Sequence, residues 1–428
     1  MRVAMNDMIL VSVDDHMVEP PDMYDRHIPA RYRDRAPRIV EKNGAQVWVF
    51  EDKLTPNIGL AATVGRERHE LGLEPNRFEQ MRSGCYDVHD RIMDMNANGT
   101  FASLCFPTAP GIHGAQFSQV EDKDLGLAVL RAYNDWHMED WCGPYPERFI
   151  PLGQIPYWDP ELAAAEVRRL ADLGCFNFNY CQNVTGLGLP SIHDRFWDPF
   201  FDAVCDVGGA ITVHLGTGFR KMFNSLDAPY SGYMAMVNLD MANFATDIIF
   251  SNRLQRYPDL RIALSEGGIG WIPFFLERCK WIQERHSPWV KDDLGGLTVE
   301  ELFRRHFLTC FIDDPVGIDL RHRIGIDNIA WECDYPHSDC TWPESPEFLA
   351  GQLSGVSDED VAKITHLNAL RFLRFDGVEK AGRENATVGA LRAQAVGLDL
   401  RAPSSAGMTR PDDDTRQLTV GDLMHMMV

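Results

Sequence analysis

Five side chains able to bind a metal or move a proton stand at the ends of apolar runs. Asp14 and His16 follow Met8-Ile-Leu-Val-Ser-Val, His214 follows Ala210-Ile-Thr-Val, Glu266 follows Leu260 to Ser265, and Asp334 follows Asn328 to Trp331. Asp14 and His16 are two residues apart, so on an extended strand their side chains point the same way. Carboxylate oxygen and imidazole nitrogen suit zinc, manganese or iron. Asp14-x-His16 alone reads equally as half of a divalent-metal site or as a satisfied polar strand end. A lone His214 reads as a buried, hydrogen-bonded histidine. Recurrence of such residues at strand ends favours the metal.

Further candidates lie nearby. Glu19, three residues past His16, is an additional ligand, a supporting carboxylate, or a plain loop residue. His337, three past Asp334, is placed to donate to an oxyanion or to fix Asp334. Arg220, in His214-Leu-Gly-Thr-Gly-Phe-Arg220, is a clamp for a substrate carboxylate or a surface charge. Trp331 and Trp342 are either pocket walls or packing.

The elements that must position these residues alternate. From about residue 88, short apolar strands (100–106, 149–154, 175–180, 210–213, 260–264, 307–311 and 328–331) are separated by helical stretches. With the strand before Asp14 they number about eight. Eight parallel βα units predict a closed (β/α)8 barrel, whose reactive residues sit at the carboxyl ends of the strands. Residues 17–85 are proline-rich and irregular, too long for a plain connection, and read as an insertion or lid. The barrel with this lid is expected over 1–376, and a C-terminal extension or arm over 377–428, with a short helix at 418–427.

The chain has 428 residues, 45% of them hydrophobic, enough for one large core. No apolar run reaches membrane-spanning length. A net charge of −22 disfavours nucleic acid and anionic membrane as partners and says little else; the partner expected from the site residues is a small-molecule substrate. Ten cysteines without a Cys-x-x-Cys pair fit reduced thiols, and Met1 to Leu10 lacks the features of a signal peptide, so a cytoplasmic location is expected.

The set of motifs resembles the amidohydrolase superfamily, in the branch that includes aminocarboxymuconate-semialdehyde decarboxylase and resorcylate decarboxylase. The resemblance covers residues 8–16 and 86–376. It is carried by Asp14-Asp-His16, His214, Leu254-Gln-Arg-Tyr-Pro-Asp-Leu-Arg-Ile262, Asp334-Tyr-Pro-His337 and Ile364-Thr-His-Leu-Asn-Ala-Leu-Arg-Phe372. It implies a distorted TIM barrel holding one divalent ion, zinc first and manganese or iron as alternatives, on Asp14, His16, His214 and Asp334. It also implies Asp334 as proton carrier and a homodimer or higher homo-oligomer. Glu266 occupies a position commonly held by a catalytic histidine. No lysine stands at the fourth-strand bridging position, where the sequence is Phe178-Asn-Tyr-Cys181. The first expectation is therefore a hydrolase using metal-activated water, with catalytic roles for Asp334, Glu266 and His337. The alternatives are a non-oxidative decarboxylase and a non-catalytic metal-binding or scaffold barrel.

Overall fold

The computed structural model describes residues 4–55, 62–71, 75–403 and 416–422. The first strand, β1 (Leu10–His16), is buried along its whole length. An insertion follows, and it contains an antiparallel meander: β2 (Arg38–Lys42), β3 (Ala45–Phe50) and β4 (Lys53–Thr55). Its first hairpin turns at Asn43-Gly44, both at positive φ (52° and 82°), the conformation a two-residue hairpin needs. The sequence reading of 17–85 as irregular is corrected here. Of the apolar run that the sequence shows from Gly59 to Val64, residues 59–61 lie outside the described residues.

The barrel continues with β5 (Thr100–Phe106), β6 (Phe149–Ile150), β7 (Leu152–Gly153), β8 (Asn177–Tyr180), β9 (Ala210–His214), β10 (Arg261–Ser265), β11 (Phe307–Phe311) and β12 (Ile329–Trp331). All pairings are parallel, in the order β1-β5-β6 and β7-β8-β9-β10-β11-β12. Pro151, which has no N–H to donate, splits one strand into β6 and β7. The ring closes where the chain after β12 meets β1. His16 N donates to Tyr335 O at 2.6 Å, Asp334 N to Asp14 O at 2.9 Å, and Cys333 N to Ser12 Oγ at 2.8 Å. The fold is a (β/α)8 barrel.

Alternation along the strands divides the core in two. Val11, Val13, Ala102, Leu104, Ala263, Leu308, Cys310 and Ala330 fill the barrel interior. Phe178, Tyr180, Ile211, Val213, Ile262, Leu264 and Trp331 face the surrounding helices. Two of those helices begin where the sequence signals a cap. Asp87 caps Val88–Asn98 by accepting from His89 N and Asp90 N, and Asp159 caps Pro160–Asp172 by accepting from Glu161 N and Leu162 N.

The chain past residue 376 begins by sealing the amino end of the barrel. Val388 N donates to Met8 O, and Val378, Ala386 and Leu391 join the interior cluster. Further on, Tyr230 N donates to Leu418 O and Val420 N to Ala228 O, so residues 418–420 run beside the loop after β9. Helical backbone continues through Asp422; the rest of the expected 418–427 helix lies outside the described residues. Among the described residues no helix is long and apolar enough to cross a membrane.

Candidate metal centre

The register of β1 slips between Ser12 and Asp15. Ser12 pairs with Ser103 and Asp15 with Cys105, so β1 advances three residues where β5 advances two. The extra residue is a bulge, and a bulge re-aims side chains. Val11 and Val13 face the interior, and past the bulge Asp14 and His16 take that face. Asp15 is turned aside. It accepts from Ser12 Oγ at 2.9 Å, Tyr335 N at 3.1 Å and Ser103 Oγ.

At the centre, His16 Nε2 lies 3.1 Å from His214 Nε2, 3.3 Å from Asp334 Oδ1 and 3.6 Å from Asp14 Oδ1. His214 Nε2 lies 3.5 Å from Asp14 Oδ2 and 3.5 Å from Glu266 Oε2. His214 Nδ1 donates to Leu215 O at 2.6 Å, which leaves its Nε2 as a bare lone pair aimed at the cluster. His337 Nδ1 sits 3.0 Å from Asp334 Oδ1 and 3.1 Å from Oδ2, and its ring stacks on His16 with centroids 4.0 Å apart. Phe106 packs against both His16 and His214.

Two carboxylates are aimed by unusual backbone. Glu266 and Asp334 adopt left-handed φ of 58° and 62°, a conformation that disfavours any residue but glycine. Behind the cluster, the buried Arg91 donates to His16 O and to Gly84 O at 2.6 Å, and its guanidinium lies over the Tyr335 ring.

The electrostatics are those of a site built for a cation. Burial, and the proximity of Glu332, Asp334 and Glu266, push Asp14 well above the usual carboxylate range. Burial and Asp334 do the same to Glu266. Burial lowers His16 and takes His214 down to about 4, so both rings are neutral. Burial pushes against the charge of Asp334, but His337 and His16 outweigh it and hold that carboxyl below its ordinary range. Burial opposes charge on His337 as well, yet the Asp334 carboxylate raises it. Both oxygens of Asp14 are buried without a hydrogen-bond partner. A buried carboxylate left unpaired is costly, and the His214 Nε2 facing it, bare because Nδ1 carries the ring proton, supplies none. A divalent ion would satisfy these lone pairs, and Asp14, His16 and His214 offer atoms within 4.8 Å of one another, as do His16, Asp334 and His337.

Other sequence candidates fall elsewhere. Glu19 is not in the cluster; its carboxylate accepts from Thr108 N, Ala109 N and Tyr133 OH, pinning the loop after β5. Arg220 is half exposed and faces Asp240, with Nε 3.6 Å from Oδ1. Trp331 packs outward against helices, and Trp342 donates Nε1 to Asp94 O and packs against Tyr335, so neither lines the centre. At the fourth barrel strand the interior positions are Asn177 and Asn179, and no lysine enters.

Two residues escaped the sequence reading. Glu332 follows Ala330 by two on the interior face, is fully buried, accepts from Cys310 Sγ and Glu266 N, and is pushed by burial up to about 8. Its alternation with Ala330 was the available signal. Asp339, on the loop after β12, groups with Glu266 and Asp334; burial and Asp334 raise it to about 6. Nothing in its local sequence marks it.

A barrel with divalent-cation donors at its carboxyl-end rim defines a class, and the sequence match agrees with it. The amidohydrolase family model matches residues 26–375, and the chain belongs to that family. It is an enzyme family of metal-dependent hydrolases and carboxy-lyases. The chain is 23% identical to gamma-resorcylate decarboxylase of Rhizobium sp. (strain MTP-10005) over 323 residues, 70% of this chain and 91% of that protein. Among solved structures it is similar to an amidohydrolase from Mycobacterium avium subsp. paratuberculosis K-10, with TM-score 0.68, 21% identity, and coverage of 85% of this chain and 99% of that one. It is also similar to 5-carboxyvanillate decarboxylase from Novosphingobium aromaticivorans DSM 12444, complexed with manganese and 4-hydroxy-3-methoxy-5-nitrobenzoic acid. There the TM-score is 0.58 at 19% identity, with 87% and 98% of the two chains covered.

Proposed function

We propose that this protein is a metal-dependent non-oxidative decarboxylase of a small aromatic or unsaturated carboxylic acid. The relatives named above favour this over hydrolysis, the first expectation from Glu266 in place of a histidine. The observation that carries the chemistry is the Asp334–His337 pair at 3.0 Å. Asp14, His16, His214 and Asp334 would hold one divalent ion, and manganese, present in a similar structure, stands beside zinc as a candidate. When bound, the ion supplies positive charge that anchors the substrate's carboxylate and lowers the energy of charge developing on the reacting skeleton.

The remaining work falls to the chain. His337, raised by the Asp334 carboxylate, is the group disposed to hold a proton beside it. That proton passes through Asp334 to the substrate carbon bearing the carboxylate. The carbon–carboxyl bond then breaks, its electron pair stays on the skeleton, and carbon dioxide leaves. Glu266, whose carboxylate groups with that of Asp334, orients the acid and keeps solvent from the carbon. The Phe106 ring forms an apolar wall beside both imidazoles.

The test is direct. Protein loaded with manganese or zinc is incubated with 2,6-dihydroxybenzoate and 5-carboxyvanillate, and carbon dioxide release is followed together with metal content. About one metal per chain, lost in His214→Ala, and carbon dioxide release abolished in Asp334→Asn, is the expected result. Hydrolysis of amides or diketones without carbon dioxide release would return the assignment to a hydrolase. No metal after reconstitution would make the barrel a binding protein.

A further inference from the structure

Asp334 and His337 stand at the two ends of a β-turn, closed by His337 N donating to Asp334 O at 2.9 Å, with Tyr335 and Pro336 at its centre. Each central residue is gripped from outside the ring of strands. Tyr335 OH donates to Asp94 Oδ2 at 2.6 Å. Asp94, buried on the helix Val88–Asn98, is held at both oxygens by Arg82, Nε to Oδ2 at 3.0 Å and Nη2 to Oδ1 at 2.6 Å. Pro336 O accepts from Thr63 N at 2.9 Å and from Val64 N at 3.3 Å. Both grips lead to one segment. Arg82 Nη1 donates to Asp399 O at 2.9 Å and to Arg401 O at 2.8 Å. Gly65 O, next along from Val64, accepts from Ala402 N at 2.9 Å. Gly65 has φ of 82°, and a Cβ there would stand 2.6 Å from both Ala402 N and Leu400 O. Residues 399–402 lie past residue 375, where the match to the family ends.

We infer that Arg82 is a positioning residue of the reactive centre, and that residues 399–402 brace, through Arg82 and Gly65, the turn that carries Asp334 and His337. The inference rests on the reading of that pair as the proton-carrying groups. The bond inside the turn sets the spacing of the pair. It does not set how the turn tilts over His16 and His214. The inner edge is tied to β1 by Asp334 N to Asp14 O and His16 N to Tyr335 O, and a turn held along one edge pivots about it. The outer edge, the Tyr335 hydroxyl and the Pro336 carbonyl, is where Asp94 and residues 63–64 take hold. A guanidinium suits the first grip, because its fork meets the carboxylate with two donors and keeps a third nitrogen for the carbonyls of 399 and 401. Arg82 also lies over the Trp342 ring, 5.0 Å from its centroid, and Trp342 Nε1 donates to Asp94 O, so the carboxylate is fixed from two sides. Arg82 reaches the pair only through Asp94 and Tyr335, so it positions and does not react.

The experiment compares the full chain as wild type, Arg82→Lys and Gly65→Ala. Arg82→Lys keeps the charge and loses the fork. Gly65→Ala pushes the 400–402 backbone away and leaves Arg82 in place. Manganese-loaded proteins are assayed with 2,6-dihydroxybenzoate and 5-carboxyvanillate, beside metal content and denaturant unfolding. In each variant kcat falls about tenfold, KM stays within about twofold of wild type, and metal per chain is unchanged. A lower unfolding midpoint with kcat within about twofold of wild type makes the brace structural only and overturns the inference, as does a rise in KM at unchanged kcat. If Arg82→Lys does not fold, Gly65→Ala carries the comparison. If wild type releases carbon dioxide from neither acid, the reading of the site falls, and a measurement independent of turnover decides the brace. The His337 Cε1 proton signal, assigned by its loss in His337→Gln, is recorded in zinc-loaded wild type and both variants at one pH. The ring stacks on His16 at 4.0 Å, so a small tilt of the turn moves the signal, and it is displaced in both variants. A signal at the wild-type position in both overturns the inference.

Discussion

Glu166 and Glu332 are both fully buried glutamates, and their surroundings are opposite. Glu166, on the helix Pro160–Asp172, is gripped by Arg169 at 2.6 and 3.0 Å, Arg131 at 3.0 Å and Asn134 at 2.9 Å. Burial pushes its carboxyl up, and the two guanidinium groups more than offset this, so it lies below the usual range. Among the described residues Glu332 has only Cys310 Sγ and the Glu266 amide as donors; burial, with Asp334 adding a like charge, takes it to about 8. The first carboxylate is complete within the fold and joins two helices. The second belongs to a group, with Asp14, Glu266 and Asp334, that carries more negative charge than the protein around it neutralises. Buried acids left without countercharge mark where an external cation and a substrate belong.

The largest test of this contrast acts on the unneutralised group. Asp334→Asn keeps the shape of the side chain and removes both a proposed donor to the ion and the carboxylate that raises His337. Turnover of the acid falls by about 10³-fold or more, roughly 4 kcal/mol in the barrier, while circular dichroism shows the same fold. An Asp334→Asn enzyme with near-normal turnover breaks the assignment. Glu166→Gln is next. It leaves two arginines without their shared carboxylate and costs about 2–4 kcal/mol in denaturant unfolding, below the top of the buried-pair range because both keep part of their surface in water. Glu332→Gln, made in protein stripped of metal, retains an acceptor for Cys310 and Glu266 N. At pH 8 it unfolds at equal or higher denaturant than wild type. A loss as large as that of Glu166→Gln would erase the contrast.

These differences bear on what the sequence disclosed. The barrel was legible because apolar strands alternate with helical stretches, and the centre because its donors close those strands. Asp14 and His16 were correctly placed on one side of β1 by their spacing. Which face they would share with Val11 and Val13 was not, since the bulge that moves them to the interior depends on pairing with β5. The left-handed backbone at Glu266 and Asp334 leaves no trace in residue type. Trp331 was left open between pocket wall and packing, although strand alternation puts Ala330 on the interior side and Trp331 outside. Asn43-Gly44, a strong hairpin signal between Arg38–Lys42 and Ala45–Phe50, was overlooked amid prolines and charges. Arg220 could not be placed, because its neighbour Asp240 comes from a different segment.

The pH dependence of stability separates the two glutamates in sign. Glu332, at about 8 when folded against 4.5 as its reference, binds more protons folded than unfolded between those values. Its effect is to make metal-free protein less stable as pH rises through that window. Glu166 is held below 4.5, so its stabilisation is present above that pH and is lost as pH falls beneath it. In chelator, the melting temperature therefore rises as pH is lowered from about 8.5 to about 5.5 and drops below about 4.5. Glu332→Gln flattens the first limb, and Glu166→Gln weakens the second. A profile with no change in either variant would detach both residues from the pH response.

The smallest expected effect lies on the same helix as Glu166. Arg168, two residues on, pairs with Asp206 at 3.1 Å, with side chains 51% and 65% exposed. If pairing alone set the energy, Arg168→Ala would resemble Glu166→Gln. In water the charges lose little hydration on separating, and holding two long side chains together costs rotamer entropy, so the change is below about 0.5 kcal/mol in denaturant unfolding. A cost near 2 kcal/mol would show that this helix depends on its charges wherever they lie, and burial would no longer explain why Glu166 stabilises the fold. The expected near-zero value leaves burial as the deciding variable: it makes the paired Glu166 a structural joint, and it makes the unpaired carboxylates at the barrel rim depend on an ion from outside.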